Sequence, residues 1–266
     1  MRTQSLKLAY FSPTGTTRTI VHSIARGINH DTVELIDLTK PEVRSQPLHT
    51  SDSDVLVVAM PVYIGRIPAI AMDWLNAVQA RDTPTVCVVV YGNRAYDDAL
   101  LELRDTLRKR GCIPIACAAY IGEHSFSSSE TPTAAGRPDA ADLAHAEAFG
   151  RSIAEKLSAE PSNADLRDVV TPGNHPYRGD AKLWDVDFIA VGDDCTHCGI
   201  CADGCPAGAV DAQHSDVIDK VKCITCCACI KNCPQKARTM KPGPVKDAAL
   251  RLNRLYGERK QPELFL

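Results

Sequence analysis

Short apolar runs alternate with amphipathic segments along the first 158 residues. The apolar runs predict β-strands at residues 6–11, 32–38, 55–60, 85–91 and 113–121. Between them, apolar residues recur at the spacing of one helix face, as in Ile20, Ile24 and Ile28. These segments predict helices at residues 16–28, 68–80, 96–110 and 139–157. Strands that alternate with helices in this way predict an α/β fold with a doubly wound parallel sheet.

Two stretches rich in small residues and proline interrupt this alternation. Residues 122–138 form a loop so long that it is usually either functional or disordered. The second stretch, residues 159–184, has no clear periodicity and predicts a linker. A packed connection rather than a loose tether is indicated by Pro161, Pro172, Pro176 and Trp184. The predicted organisation is an N-terminal domain at 1–158, a linker at 159–184, a second domain at 185–240 and a helical tail at 241–266.

The composition is that of a globular protein, with 24% charged residues and a net charge of −3 over 266 residues. The negative charge argues against nucleic-acid binding through phosphate contacts. No apolar run approaches the roughly 18 residues of a membrane-spanning helix. The apolar stretch at residues 8–11 is too short for the core of a signal peptide. We therefore expect a cytoplasmic protein with no membrane span.

Nine of the twelve cysteines lie between Cys195 and Cys233. In a reducing cytosol such a cluster is typical of metal binding rather than of disulfides. The cluster is an internal repeat with an offset of 28 residues, in which Cys195-x2-Cys198-x2-Cys201-x3-Cys205-Pro206 recurs as Cys223-x2-Cys226-x2-Cys229-x3-Cys233-Pro234. We expect the three other cysteines to be core residues, namely Cys87, Cys112 and Cys117.

A cubane iron–sulfur cluster needs four thiolates that converge on one point. One tight loop supplies three of them, and in two-cluster proteins the fourth comes from the other motif. The first predicted ligand set is Cys195, Cys198, Cys201 and Cys233. The second predicted set is Cys223, Cys226, Cys229 and Cys205. Structural zinc sites usually use two C-x2-C pairs separated by a longer loop, which is a different pattern.

This segment resembles the bacterial-type two-[4Fe-4S] ferredoxins over about 45 residues, including all eight cluster ligands. The resemblance implies a small ferredoxin-like α+β domain that holds two clusters. Cys227, directly after Cys226, departs from the family pattern. It is either a small buried residue or an alternative ligand or redox thiol.

The loop after the first predicted strand has the character of a phosphate site. Its sequence, Ser12-Pro13-Thr14-Gly15-Thr16-Thr17, ends where a helix begins. Hydroxyl groups and free backbone N–H groups at a helix N-terminus attract anions. Plain helix capping by Thr14 or Thr16 is the alternative.

Two more predicted strands end at the same sheet edge, in residues 60–66 and 91–97. Open parallel sheets bind ligands at the carboxyl ends of their strands. Tyr63 or Tyr96 is a candidate to stack on a flavin ring, and ordinary loop packing is the alternative for Tyr63. Gly92, like Gly65, would let the backbone approach the ring.

Together these loops resemble the flavodoxin family, whose phosphate loop, Ser-x-Thr-Gly-x-Thr, is matched at every defined position. The resemblance implies FMN as cofactor and the strand order 2-1-3-4-5. Over residues 5–240 the chain resembles a family of flavodoxin-like domains fused to a two-[4Fe-4S] ferredoxin. The residues that this resemblance places at FMN are Ser12, Thr14, Gly15, Thr16, Thr17, Pro61, Val62, Tyr63, Ile64, Gly65, Tyr91, Gly92, Asn93, Arg94, Tyr96 and Asp97.

We expect an FMN- and iron–sulfur-dependent oxidoreductase that passes electrons between the clusters and FMN and reduces a small substrate at the flavin. An electron carrier without its own substrate and a redox-sensing module are the alternatives. The expected partner is a ferredoxin-type redox protein or a small-molecule acceptor. The oligomeric state is open, with a homodimer as one alternative.

No residue stands out as catalytic. His124 and residues 125–130 are either a solvated loop, a lid over the flavin or a contact to the second domain. We expect the second domain to dock at the carboxyl ends of the strands, where the three loops meet residues 122–138. A mobile domain that visits external partners is the alternative.

Overall fold

The computed structural model describes residues 3–159, 162, 166–179 and 185–266. The strands are β1 (Ser5–Tyr10), β2 (Val33–Asp37), β3 (His49–Thr50), β4 (Asp54–Pro61), β5 (Gln79–Ala80), β6 (Thr83–Tyr91), β7 (Cys112–Ile121), β8 (Ile189–Val191), β9 (Arg238–Met240) and β10 (Glu263–Phe265). The helices are α1 (Thr16–Ile28), α2 (Pro41–Arg44), α3 (Ala69–Ala77), α4 (Ala99–Arg108), α5 (Ala140–Ala159), α6 (Ile200–Asp203), α7 (Ala228–Lys231) and α8 (Pro244–Leu255). None of the helices in these described ranges is long and apolar enough to cross a membrane.

The five predicted strands form the centre of one sheet, whose full order is β10-β7-β6-β4-β1-β2. Neighbouring strands from β7 to β2 run parallel. In chain order this central part reads 2-1-3-4-5, so both the predicted α/β class and the strand order are confirmed. Every residue of β6 is buried, as expected of a strand covered on both faces.

Helices cover both faces of the sheet and divide its core in two. On one face α1 and α5 pack together, and Ile20, Ile24 and Phe149 are buried beneath them. Their close approach requires glycine, because a Cβ on Gly27 would lie 2.0 Å from the main-chain oxygen of Glu147. On the other face α3 and α4 cover a second apolar cluster. Each fully buried Leu, Ile or Phe side chain contributes roughly 1.5–3 kcal/mol to stability.

Two elements differ from the sequence-based prediction. The helix predicted at 68–80 ends at Ala77, because residues 79–80 leave it and pair with β3 as strand β5. The tail contains the predicted helix, α8, and then a strand that was not predicted. That strand, β10, pairs antiparallel with β7 and extends the sheet by one strand.

The described part of the predicted linker, residues 166–179, packs against the α/β unit. Leu166 is buried in the core beneath α1 and α5. Val169 N donates a 2.9 Å hydrogen bond to the main-chain oxygen of Pro114, and Tyr177 Oη donates one of 3.0 Å to Asp105. This region is therefore attached along its length to the sheet unit. Of the residues that predicted a packed connection, Pro161 and Trp184 lie outside the described residues.

The Cys-rich segment, residues 185–240, forms its own small unit. Strands β8 and β9 pair antiparallel, and an isolated bridge joins Val210 to Ile218. Phe188, Ile189 and Cys227 form its apolar core. Val245 of α8, which is fully buried, completes this core. The first turn of the tail helix is thus part of the Cys-rich unit, whereas β10 belongs to the sheet.

Candidate functional site

The loop between β1 and α1 presents free N–H groups at the start of a 13-residue helix. Gly15 adopts a left-handed conformation (φ +89°) that glycine tolerates without strain. The first backbone hydrogen bond of the helix runs from Thr19 N to Gly15 O. The N–H groups of Thr16 and Thr17 precede it, and a helix leaves such groups available to a ligand. Ser12 itself caps the turn, since its Oγ accepts a 3.0 Å hydrogen bond from Arg18 N.

A small cavity opens directly above this loop, between the carboxyl ends of β1, β4, β6 and β7. Its wall is made of Ser12, Pro13, Thr14, Thr16, Thr17, Pro61, Val62, Tyr63, Val90, Tyr91, Gly92, Gly122, Glu123, His124 and Ser125. Two glycines allow close packing here: a Cβ on Gly122 would lie 3.0 Å from Thr16 Cβ, and one on Gly92 would lie 2.3 Å from the His124 ring. The three loops singled out by sequence therefore converge on one cavity.

A larger cavity of about 610 Å³ adjoins the small one. Val62, Tyr63, His124 and Ser125 line both cavities. Predicted residues Ile64, Arg94 and Asp97 also line the larger one. Its remaining wall is formed by Phe126, Arg178, Gly179, Ile224, Thr225, Ala248, Arg251, Leu252, Leu255 and Tyr256. Helix α8 was missed as part of this site, because its amphipathic pattern gives no sign of what the helix covers.

Several residues predicted at FMN hold the C-terminal tail. Asn93 is buried and donates hydrogen bonds to main-chain oxygens of the tail. Tyr96 Oη donates a 2.7 Å hydrogen bond to Glu263 of β10, and burial, followed by this bond, raises the pKa of Tyr96. Neither Asn93 nor Tyr96 lines the two cavities, and Gly15 and Gly65 do not line them either. Gly65, at φ +79°, packs against Asp97.

His124 lies where the two cavities meet. Its Nδ1 accepts a 3.0 Å hydrogen bond from Phe126 N, so a neutral ring carries its proton on Nε2. Burial, followed by the charges of Lys231 and Arg94, lowers the pKa of His124 to about 4. The imidazole is therefore a neutral hydrogen-bond donor at neutral pH rather than a cation.

The cysteines of the two motifs line two separate cavities within the Cys-rich unit. Cys195, Cys198, Cys201 and Cys233 line the first. Cys205, Cys223, Cys226, Cys227 and Cys229 line the second. Each motif thus sends its fourth cysteine to the cavity of the other. Across the described residues, no three His, Cys, Asp or Glu side chains are grouped to hold a single metal ion.

Burial controls the protonation of the second set of cysteines. It raises the pKa of Cys229 to about 11 and raises the pKa of Cys223 and Cys226 as well. Thiolates there need positive charge in the cavity, which a metal centre supplies. Cys227 is 2% exposed and packs in the apolar core of the unit, where burial raises its pKa well above the usual value.

The Cys-rich unit docks on the carboxyl ends of the sheet strands, as predicted. Lys231 Nζ donates hydrogen bonds to Glu123 Oε1 (2.5 Å) and to the main-chain oxygen of Ser127 (2.6 Å). Asn232 Nδ2 lies 3.4 Å from the main-chain oxygen of Pro13 in the phosphate-type loop. These contacts place residues 122–138 between the two units.

Ile224 lies between the second cysteine cavity and the larger cavity. Ile224, between Cys223 and Cys226, lines both the second cysteine cavity and the larger cavity. Tyr63 also lines the larger cavity. Burial raises the pKa of Tyr63, and the nearby Cys226 and Cys227 raise it further. The second cysteine set is therefore the one that adjoins the site at the strand ends.

No protein-family model and no curated protein matches the chain. Similar solved structures include a flavodoxin of Streptococcus pneumonia TIGR4, at 18% identity and a TM-score of 0.42, covering 57% of this chain and 99% of that one. A flavodoxin from the domain Archaea is 14% identical, with a TM-score of 0.39, and the match covers 58% of this chain and 99% of that one. The flavodiiron core Flv1 of Synechocystis is 18% identical, with a TM-score of 0.42, and the match covers 59% of this chain and 36% of that one. The α/β assignment rests on the strand order described above.

Proposed function

We propose that the chain is an oxidoreductase that binds FMN at the carboxyl ends of the sheet strands and two [4Fe-4S] clusters in the cysteine cavities. The observation that carries this proposal is the position of Ile224, which lines both the second cysteine cavity and the cavity beside the strand ends. Two redox groups held there would be neighbours. Electron transfer falls steeply with distance, so this adjacency favours an internal path over a mobile domain.

The residues present fit FMN. The N–H groups of Thr16 and Thr17, with the hydroxyls of Thr14 and Thr16, are suited to its phosphate. The Thr225 hydroxyl is buried at the larger cavity without a hydrogen-bond partner among the described residues, which is what a site for a polar ring would leave behind. The larger cavity, at about 610 Å³, has the size of a small-molecule site.

The cysteine cavities fit clusters better than single ions. Each is lined by three cysteines of one motif and the fourth cysteine of the other, with Cys227 as a fifth in the second cavity, and a cube-shaped group with four corners requires four such thiolates. Ala209 N donates a 3.3 Å hydrogen bond to Cys205 Sγ, the type of contact that tunes a cluster thiolate. The ligand sets proposed are those predicted from the spacing, with Cys227 outside them.

When bound, FMN and the clusters together convert between single-electron transfer and two-electron chemistry. The chain's part is to bind and orient these groups and to exclude water. Thr14, Thr16 and the helix N-terminus hold the phosphate end, and Tyr63 stands between the ring site and the second cysteine set. Helix α8 forms part of the outer wall of the cavity.

The experiment is anaerobic reconstitution with iron, sulfide and FMN, followed by analysis of metal and flavin. We expect about eight iron and eight sulfide per chain, with one FMN that is reduced when ferredoxin, NADH or NADPH is the electron donor. Zinc with little sulfide, or FAD in place of FMN, would contradict the proposal. Cys226→Ala should halve the iron, keep the FMN and slow flavin reduction, and Cys87→Ala in the sheet is the matched control.

A further inference from the structure

The larger cavity has an outer end, away from the phosphate-type loop, that the proposed FMN site does not account for. On one side this end is formed by Arg251, Leu252 and Leu255 of helix α8, and on the other by Arg178 and Ile64. The guanidinium group of Arg251 is exposed and has no hydrogen-bond or ion-pair partner among the described residues. A cation that faces a cavity without a partner is available to a ligand.

Positive charge exceeds negative charge around this cavity. Arg94, Arg178 and Arg251 line it, against the single carboxylate of Asp97. Asp97 is already ion-paired with Arg94, and the charge of Arg178 interacts with the carboxylate of Asp98, so Arg251 is the arginine of this wall that is left without a counter-charge. His124, at the inner end, is kept neutral in part by the charges of Arg94 and Lys231, which reflects the same positive potential. The cavity therefore favours an anionic ligand.

The rest of the outer wall is apolar and open to contact. Leu255 is 56% exposed and Ile64 is 41% exposed, both high for large aliphatic side chains. Leu252 and Phe126 extend this surface inward. A ligand that satisfies this outer wall has an apolar body and one anionic group.

We propose that the outer end of the cavity binds a small organic carboxylic acid, whose apolar body packs on Ile64 and Leu255 and whose carboxylate is anchored by Arg251 with Arg178 nearby. That this acid is the substrate of the enzyme depends on the function proposed above. Its binding at this end of the cavity depends only on the residues of this chain. Charged hydrogen bonds of the arginine–carboxylate type are among the strongest in proteins.

The test is isothermal titration calorimetry of the purified full chain with benzoate, an aromatic carboxylate, and with benzamide, its neutral counterpart. We expect benzoate to bind at least about tenfold more tightly than benzamide. Arg251→Gln should weaken benzoate binding about tenfold, the lower end for a lost hydrogen bond to a charged group, and leave benzamide binding unchanged. Arg254→Gln, an exposed arginine on the same helix that does not line the cavity, is the control and should change neither.

The outcomes separate this inference from the proposed function. If the two probes bind equally, if neither binds, or if Arg251→Gln binds benzoate as the parent does, the acid site is wrong even when FMN is present. If inorganic phosphate binds as tightly as benzoate and Arg251→Gln weakens both equally, the apolar body has no role and the inference is also wrong. If the protein holds no FMN but binds benzoate through Arg251, the proposed function fails and the acid site remains.

Discussion

Asn93 Nδ2 donates a 2.6 Å hydrogen bond to the main-chain oxygen of Tyr256, which ties the loop after β6 to the end of helix α8. A second bond, of 2.8 Å, runs from the same nitrogen to the main-chain oxygen of Glu258. One buried amide therefore holds the chain at the point where it leaves the helix and turns toward β10. The outer wall of the candidate site depends on this contact.

Replacing Asn93 should loosen the tail. Asn93→Gly is the informative variant, because glycine tolerates the φ of +66° at this position while both hydrogen bonds are lost. We expect the free energy of unfolding to fall by about 1–3 kcal/mol. Limited proteolysis should also cleave faster between α8 and β10. Asn253→Gly, on α8 itself, is the control: it should lower helix stability without faster cleavage after residue 256. Equal cleavage in both variants would contradict this role of Asn93.

Cys227 should be dispensable for metal binding. Its side chain packs with Phe188, Ile189 and Val245. Cys205, Cys223, Cys226 and Cys229, which line the same cavity, already supply the four ligands that one cluster requires. We expect Cys227→Ala to retain the full iron and sulfide content after anaerobic reconstitution. Cys227→Ser should retain it as well, at a stability cost of about 1–3 kcal/mol for the buried hydroxyl. Loss of half the iron in both variants would make Cys227 a ligand.

The sheet could be predicted because its central strands β4 and β6 are buried on both faces and are therefore continuous apolar runs in the sequence. The two cysteine cavities are lined by the predicted crossed sets because the spacing within each motif lets one tight loop bring three cysteines together and leaves the fourth for the other cavity. Strand β10 could not be predicted, since three residues joined to β7 by main-chain hydrogen bonds have no characteristic pattern.

The outer wall of the site was beyond sequence reasoning for a similar reason. Arg251 and Leu255 lie more than 110 residues from the strand-end loops that they face, and the amphipathic pattern of a helix does not indicate which element it packs against. Asn93 and Tyr96 were predicted at the flavin because they follow a strand end. The structure turns both side chains toward the tail, and the acceptors of Asn93 are main-chain oxygens, which any residue type could supply.

The loop at the start of α1 should lose FMN when it gains negative charge. Thr16→Asp places a carboxylate beside the N–H groups proposed to hold the phosphate. Like charges at one site repel, and each hydrogen bond to a charged group that is lost costs about 1.5–3 kcal/mol. We expect FMN binding to weaken by more than about tenfold in fluorescence titration. Thr32→Asp, an exposed change beyond the other end of α1, is the control. Normal FMN affinity in Thr16→Asp would make this loop an ordinary helix cap.

His124 should make stability depend on pH between about 6.5 and 4. Mainly because of burial, its pKa falls to about 4 in the folded chain, against about 6.5 when unfolded. In this window the unfolded chain binds the extra proton and the folded chain does not. The free energy of unfolding should therefore be highest above pH 6.5 and decline as the pH falls toward 4, by on the order of 1–3 kcal/mol for this residue.

The measurement is urea unfolding at a series of pH values, with the contribution of His124 taken as the difference from His124→Gln. Glutamine can accept the hydrogen bond from Phe126 N that the ring accepts now, but it does not titrate. The parent and the variant should differ most at neutral pH and converge as the pH approaches 4. A constant difference for His124→Gln would mean that the ring is protonated as easily in the folded chain as in water.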